Sequence, residues 1–404
     1  MKIYLVGGAV RDKVLGLTPK DFDYLVVGST PQEMIDKGFR SIDAKAFPIF
    51  MDRQGHEYAL ACQRGKKEYM PITLEEDLAN RDLTINAMAQ DLETGEIIDP
   101  FGGLKDLEKK VLRHTSDAFR DDPLRVLRCA RFSAQLNFQI ADETYEMMTS
   151  LKEEVAATAF KKGMLSSERI WNELVRALSS EHPRKFFEAL DQCGSLPVLF
   201  PELTGLKNKP QPVKHHPEVC TFEHTLLVVE EVVKLTKDPT VRFAALVHDL
   251  GKGLTPPDVL PSHHGHEKAG VPLVESLCQR LKAPNDFTEL AKKVSLYHLN
   301  CHKAFDLKPG TLVKLLTDVG AYRNELHLER FLLACEADAR GRLGLSDRDY
   351  PQPDFLREIV RQTKGISGQT FVNQGKEGKK VGVMIHEART RIVKDIKKRW
   401  EIQS

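Results

Sequence analysis

Two aspartates one residue apart, Asp21 and Asp23, follow closely on a Gly7-Gly8 pair and Arg11. In a β-strand, residues i and i+2 point to one face, so the two carboxylates converge on one side while Phe22 faces the core. Carboxylates held that close repel one another unless a cation lies between them, and hard oxygen ligands suit Mg²⁺ next to substrate phosphates. A Gly-Gly turn between a strand and a helix leaves backbone N–H groups for a phosphate, and Gly8 lets that phosphate come close. Arg11, one turn into the helix, offers a bidentate clamp on a phosphate oxygen. An isolated Asp-x-Asp is more simply a solvated strand start, and an isolated Gly-Gly a turn. Together they read as a site for metal-assisted, in-line phosphoryl transfer on a hydroxyl. Glu57, on the HEYALA run, is a candidate third carboxylate that also reads as an exposed edge-strand residue.

Two further groupings carry chemistry. Asp122, Arg125, Arg128 and Arg131 recur every third residue and form a stripe along one side of a helix. Three arginines side by side repel without an anion, and their guanidinium forks match phosphate oxygens and base edges; the plain alternative is a salt-bridged, solvated face. His248-Asp249 closes the apolar helix VRFAALVHDLGKG, with Gly251 as a cap. The pair can donate one nitrogen and one oxygen to a divalent ion, and His224 can complete the set from a neighbouring helix. His266, His298 and Asp338 follow downstream, while His215, His216, His263 and His264 sit in Pro- and Gly-flanked loops and read as surface residues.

The elements that must position these residues change character along the chain. Lys2–Val6, Asp21–Val27, 47–51, His56–Cys62 and Glu96–Asp99 are β-prone, and Ala9–Leu15 has helical spacing. Helical periodicity dominates from Asp121 onward, interrupted by the Pro- and His-bearing stretch KNKPQPVKHHP at Lys207–Pro217, and includes Phe222–Leu235, Val241–Leu250, Val271–Leu281 and Leu326–Ala339. The expected class is α+β, with domains at residues 1–115, 116–216, 217–345 and 346–404. The 404 residues carry a formal net charge of +1, so any polyanionic partner must be met by a local patch. Residues 376–400 supply one, with nine Lys/Arg against three Asp/Glu, although such a run is equally a solvated helix face. No apolar stretch is long enough to cross a bilayer and the N-terminus does not read as a signal peptide, which suggests a cytoplasmic protein with no membrane partner. Seven scattered cysteines without a CxxC pair read as buried thiols.

LVGGAVRD, KDFDYLVVG, RDLTINAMA from Arg81 and DDPLRVLRCARF from Asp121 resemble the class II tRNA nucleotidyltransferases, the CCA-adding enzymes, over nearly the whole chain. The resemblance is closest to the bacterial form with an HD phosphohydrolase domain. It implies a five-stranded palm of the polymerase-β superfamily in the head, an all-α neck and body, a helical HD domain and a tail. It assigns magnesium to Asp21 and Asp23 and nucleotide contact to Gly8, Arg11, Arg81, Arg128 and Arg131, with Asp82 and Asn86 in support. Asp122 and Arg125 become the readers of the base edges of CTP and then ATP, with Asp121 where many members carry Glu. His224, His248, Asp249 and Asp338 become the HD site, which takes a divalent metal, with nickel one candidate, for phosphatase, 2′-nucleotidase and 2′,3′-cyclic phosphodiesterase chemistry. The implied partners are tRNA, CTP and ATP, for a monomer or homodimer. Between Ala61 and Leu74 the chain is shorter than in these relatives, where a flexible loop is tied to the final A, so a CC-adding enzyme is one alternative. The others are a poly(A) polymerase and a nucleotidyltransferase that modifies a protein and carries an HD hydrolase.

Overall fold

The computed structural model describes residues 1–19, 21–42, 49–63, 69–214, 216–369 and 379–403. The chain divides into two compact units, Met1–Leu165 with Lys185–Ser195, and Ser166–Arg184 with Leu196–Ser404. The first therefore takes in the β-rich head and the neck helix, and the second the histidine-bearing helices and the tail. The part of residues 47–51 that falls on 47 and 48, the centre of the 61–74 stretch, His215 and the start of the basic run all lie outside the described residues.

The head is built on β1 (Lys2–Val6), β2 (Asp23–Val27), β3 (Arg40–Ile42), β4 (Ile49–Met51), β5 (Glu57–Leu60), β6 (Ala89–Asp91) and β7 (Ile97–Ile98). These form one seven-stranded sheet in the order β3-β4-β5-β2-β1-β6-β7, two strands more than the resemblance implies. β2 and β5 run parallel and every other neighbouring pair is antiparallel. The period-two alternation of KIYLV and DYLVV buries both faces. Tyr4, Val6 and Leu25 join Leu78, Ala87 and Ala89 on one, and Val26 joins Met34, Phe50 and Leu60 on the other. β5 lies inside the sheet between β4 and β2, so Glu57 is not an edge residue. α1 (Gly8–Val14) follows β1 directly, and α2 (Leu124–Leu136) forms the neck, with Val126, Leu127, Cys129 and Ala130 buried along one side.

In the second unit the site rests on α3 (Thr221–Leu235), α4 (Pro239–Val247), α5 (His266–Leu281), α6 (Asn285–His302), α7 (Pro309–Asp318), α8 (Glu325–Arg340) and the tail helix α9 (Lys379–Gln403). Buried Arg242 on α4 ties helix ends together. Its Nη1 donates to the carbonyls of Leu178 and Ser180 at 2.7 Å each, and its Nε to that of Thr236 at 2.8 Å. Carbonyls left unpaired by helix termini thus compensate the burial of a charge. The seven cysteines are free thiols, six buried and Cys220 half-buried.

Candidate active sites

The head site forms where β1 turns into α1. Gly7 holds φ +69°, a left-handed conformation that bulkier residues avoid, and a Cβ there would lie 2.8 Å from Arg81 Nη1. The Arg81 guanidinium therefore lies over the turn, with its Nη2 held by Asp77 at 3.2 Å. Arg11 closes the other side, its Nη2 being 3.4 Å from where a Cβ of Gly8 would stand. α1 is only seven residues long, so the turn's donors are chiefly the two guanidiniums, each of which also has an acidic neighbour, Asp12 at 2.7 Å from Arg11 and Asp77 at 3.2 Å from Arg81.

Asp23 opens β2 and pairs in register with Val6 on β1 and Glu57 on β5. Register partners share a face, so Asp23 and Glu57 stand together on the face of Leu25 and Ala59, beside the end of β1 that leads into the glycine turn. Both are exposed and can offer oxygen ligands to a hard cation. Asp21 precedes the strand, so the ladder that directs Asp23 does not extend to it. Phe22, expected in the core, is 40% exposed because β2 begins only at Asp23.

A polar chain centred on buried Asp82 and Asn86 joins this turn to the neck. Arg11 Nη1 donates to Asn86 Oδ1 at 2.8 Å, Asn86 Nδ2 to Asp82 Oδ1 at 3.0 Å, and Arg128 Nε and Nη2 to Asp82 Oδ2 at 2.7 and 2.6 Å. Asp82 thus supplies Arg128 with an anion from within the protein, a partner that the spacing of the arginine row does not reveal. Arg125 donates to the carbonyls of Ala118 at 2.7 Å and Asn80 at 2.6 Å, and Asp122 Oδ1 accepts from the Leu124 N–H at 3.0 Å. Arg131, expected in the exposed row, is buried at 4% exposure, stacked 3.9 Å over the Phe132 ring and bonded to Gln135. Burial alone would raise the Asp82 pKa, but the Arg128 charge and three hydrogen bonds hold it below its ordinary 3.8. Asp82→Ala should therefore cost about 3 kcal/mol in urea unfolding, the low end for stripping a buried ion pair because Arg128 is partly exposed. A carboxylate depressed in the folded state contributes fully above its unfolded value and loses that contribution as pH falls through the folded one. The wild type's margin over Asp82→Asn should accordingly narrow as pH drops below 3.8.

The second site is buried among helices. His224 comes from α3, His248 and Asp249 from the end of α4, His266 from the start of α5, His298 and His302 from successive turns of α6, and Asp338 from α8. Gly251 is not the cap of α4, which ends at His248; it lies in the 3₁₀ turn Leu250–Leu254. A Cβ on Gly251 would meet the His266 carbonyl at 2.0 Å and Gly270 N at 2.6 Å. Its missing side chain is what lets α5 come close enough to bring His266 to Asp249.

Asp249 is the hub. Its Oδ2 lies 3.1 Å from His248 Nε2 and 3.7 Å from His224 Nε2, and its Oδ1 lies 3.2 Å from His266 Nε2 and 3.6 Å from His298 Nε2. Asp338 Oδ1 faces His224 Nε2 at 3.1 Å and His248 Nε2 at 3.6 Å, while its Oδ2 is held by His302 Nε2 at 2.6 Å. Lys252 Nζ caps Asp249 Oδ2 at 2.5 Å. The four residues expected from the sequence therefore do come together. His224, His248 and Asp338 form one set of converging ligand atoms and Asp249, His266 and His298 a second, adjoining one, while His216 and Glu218 converge on the other edge of His224. Imidazole nitrogens with carboxylate oxygens suit divalent transition metals. His248 Nε2 and Asp249 Oδ1 are buried without a well-aligned hydrogen bond, as atoms built to meet an ion would be. Burial works against charge on His248, yet Asp249 and Asp338 push it up to about 10, so the cluster calls for positive charge at its centre. Burial holds His298 down, to about 3, leaving it the neutral imidazole that ligates metals.

A family model described as the poly A polymerase head domain matches residues 3–113, one described as a probable RNA and SrmB-binding site of polymerase A matches 137–206, and one for the HD domain matches 221–335. The multifunctional CCA protein of Thioalkalivibrio sulfidiphilus is 47% identical over 99% of this chain and 100% of its own length. That of Teredinibacter turnerae is 47% identical over 98% of both. The chain belongs to the multifunctional CCA protein family. It is an enzyme with a polymerase-β-like nucleotidyltransferase head and a metal-dependent HD phosphohydrolase domain. Solved structures share the fold. One of a CCA-adding enzyme with ATP superposes with TM-score 0.65 at 22% identity, over 97% of this chain and 86% of that one. Another, of the Thermotoga maritima CCA-adding enzyme complexed with tRNA, does so with TM-score 0.63 at 20% identity, over 98% of this chain and 90% of that one.

Within this family frame, the sequence motifs assign Asp249 but give no role to His266 and His298, its partners in the second ligand set. His298 and His302 at i, i+4 on an amphipathic helix were its visible signal. His216 and His263, expected at the surface, are buried. His216 Nδ1 sits 2.9 Å from Glu218 Oε1, and His263 bridges the Thr255 hydroxyl at 2.7 Å and the Pro210 carbonyl at 3.0 Å. In the tail, a surface groove of about 480 Å³ is lined, among the described residues, by Pro309, Thr390, Arg391, Lys394, Lys397 and Lys398, none of them acidic. No helix among the described residues is long and apolar enough to cross a membrane.

Proposed function

We propose that this protein adds the 3′-terminal CCA to tRNA in the cytoplasm, using CTP and ATP and no nucleic-acid template. We assign to its HD domain phosphatase, 2′-nucleotidase and 2′,3′-cyclic phosphodiesterase activity on RNA ends and nucleotides. The observation that carries the first reading is the convergence of Arg11 and Arg81 on the Gly7-Gly8 turn at the end of the sheet where Asp23 stands. Arg11 and Arg81 would grip the triphosphate through charge-assisted hydrogen bonds, and Gly8 would admit it to the backbone. Asp122 and Arg125, already ordered by backbone contacts, would present an acceptor and donors to the base edge, with Arg128 alongside and Arg131 packed over Phe132. A lost bidentate base contact costs roughly 1–3 kcal/mol, which makes UTP and GTP poor substrates. Asp21 and Asp23 would hold Mg²⁺, and the histidine–aspartate cluster a divalent transition metal such as nickel. When bound, such ions supply Lewis acidity toward phosphate oxygens and activation of the attacking hydroxyl or water. The basic groove of α7 and α9 fits the phosphate backbone of the tRNA, which is read by shape and charge.

The deciding experiment is to incubate tRNA lacking its 3′ end with CTP alone and with CTP plus ATP, and to resolve the products at single-nucleotide length. Two added residues with CTP and three with both is the expected result. A stop at two with both nucleotides, as a short 61–74 segment suggests, identifies a CC-adding enzyme. Unlimited growth with ATP identifies a poly(A) polymerase, and labelling of protein without RNA a protein-modifying transferase.

A further inference from the structure

We infer that Glu218 is a positioning residue of the HD site, whose carboxylate holds the Nδ1 edge of His224 so that Nε2 presents its lone pair to the bound cation. The inference rests on the metal-dependent reading of the cluster. His224 Nε2 is the edge that faces Asp338 and Asp249, at 3.1 and 3.7 Å. A neutral imidazole has one N–H, so a ligating Nε2 requires the proton on Nδ1 and an acceptor there to keep it in place. Glu218 Oε1 lies 3.1 Å from that Nδ1, off the ideal N–H direction, so the contact is a bent one that a small turn of either side chain aligns. Both side chains are almost completely buried, at 0% and 1% exposure.

Glu218 is itself anchored on two further sides. Its Oε1 also meets His216 Nδ1 at 2.9 Å, and its Oε2 accepts the backbone N–H of Leu343 at 3.3 Å, just beyond the helix that carries Asp338. The backbone beside it is strained to the same end. Val219 sits at φ +62°, a left-handed conformation that a β-branched residue rarely takes. It is fixed there by Val219 N–H donating to the His216 carbonyl at 2.9 Å and by its own carbonyl accepting from Gln211 N–H at 2.7 Å. Strain of this kind persists only where the surroundings over-determine it, and what this turn delivers is a carboxylate under a metal-binding histidine. Glu218 meets His224 on the edge opposite Asp338 and so lies outside the set formed by His224, His248 and Asp338; with His216 it converges on the Nδ1 side of His224 instead, where it can orient that ligand.

The test titrates the full-length protein with Co²⁺, followed by visible absorption and equilibrium dialysis, with His248→Ala defining the background from all other sites. Glu218→Ala should bind Co²⁺ about 10–100-fold more weakly, the usual effect of removing a ligand's outer partner, and change the absorption bands. Glu218→Gln, which keeps an acceptor oxygen, should recover most of the loss, and nucleotide addition should be unchanged in both. Wild-type affinity and spectrum in Glu218→Ala would overturn the inference, as would a Gln variant no better than Ala. If the wild type binds no Co²⁺ above the His248→Ala background, the metal-dependent reading of the cluster fails, and the role of Glu218 with it.

Discussion

Asp23→Ala should abolish nucleotide addition while leaving phosphoester hydrolysis and thermal stability as they are. The three parts of that expectation follow from where the residue stands. Asp23 is exposed at the first position of β2, so its removal should change stability within the ±0.5 kcal/mol typical of surface sites. The ladder directs it to the side where Val6 leads into the glycine turn and the two arginines gather. A carboxylate that holds a catalytic metal underwrites several kcal/mol of transition-state stabilisation. At about 1.4 kcal/mol per decade, its loss corresponds to a fall of roughly 10³-fold or more. The measurement is incorporation of labelled CTP into tRNA lacking its 3′ end, set against hydrolysis of a 2′,3′-cyclic nucleotide by the same preparation. Retention of a tenth of the addition activity would remove Asp23 from the chemistry. Glu57→Ala, taken alongside, separates the two readings of that residue. It shares a face with Asp23 on the neighbouring parallel strand, and a comparable loss would make it a third metal carboxylate, whereas full activity would make it an exposed strand residue.

Local chemistry explains why the glycine turn, Asp23 and the HD pair can be read directly from the chain. Lys2–Val6 and Asp23–Val27 are alternating β-prone runs interrupted by Gly7-Gly8, and HDLGKG closes a helix apolar on every side. What escapes such reading is whatever depends on a distant partner. The interior place of β5 follows from its pairing with β2 and β4, which no local pattern encodes. Asp82, the counterion of Arg128, lies 46 residues before it in the chain. The arginine spacing marks one side of α2 correctly but does not tell that Arg131 turns inward over Phe132. In the same way, His266 and His298 join Asp249 only because Gly251 lets α5 settle against the turn that carries it. His216 and His263 look like loop residues, but His216 is buried against Glu218 and His263 against the Thr255 hydroxyl and the Pro210 carbonyl. A cap and a close approach both call for glycine, and at Gly251 it is the close approach of α5 that requires it.

The complementary variant, Asp249→Asn, should eliminate hydrolysis and spare nucleotide addition. Asp249 touches both ligand sets, through Oδ2 to His248 and through Oδ1 to His266 and His298. Asparagine keeps the shape but removes the charge, and its amide nitrogen cannot ligate a cation, so the second set loses its anionic donor and the first loses the carboxylate beside His248. By the same arithmetic as for Asp23, hydrolysis should fall roughly 10³-fold or more. The variant also leaves Lys252, buried and 2.5 Å from the lost charge, with Gln211 as its remaining partner, at 2.6 Å. Removing one member of a buried pair costs about 3–5 kcal/mol, so a lower unfolding midpoint for this unit is expected as well. His248→Ala resolves the ambiguity that such a loss creates. It deletes a ligand without stranding Lys252, and it should abolish hydrolysis at a smaller cost in stability. Cyclic-nucleotide hydrolysis that survives in His248→Ala would show that the cluster is structural and that the hydrolytic reading of these helices is wrong. Loss of hydrolysis in both variants, with CCA addition intact in both, would show that one chain houses two chemistries that share no residue.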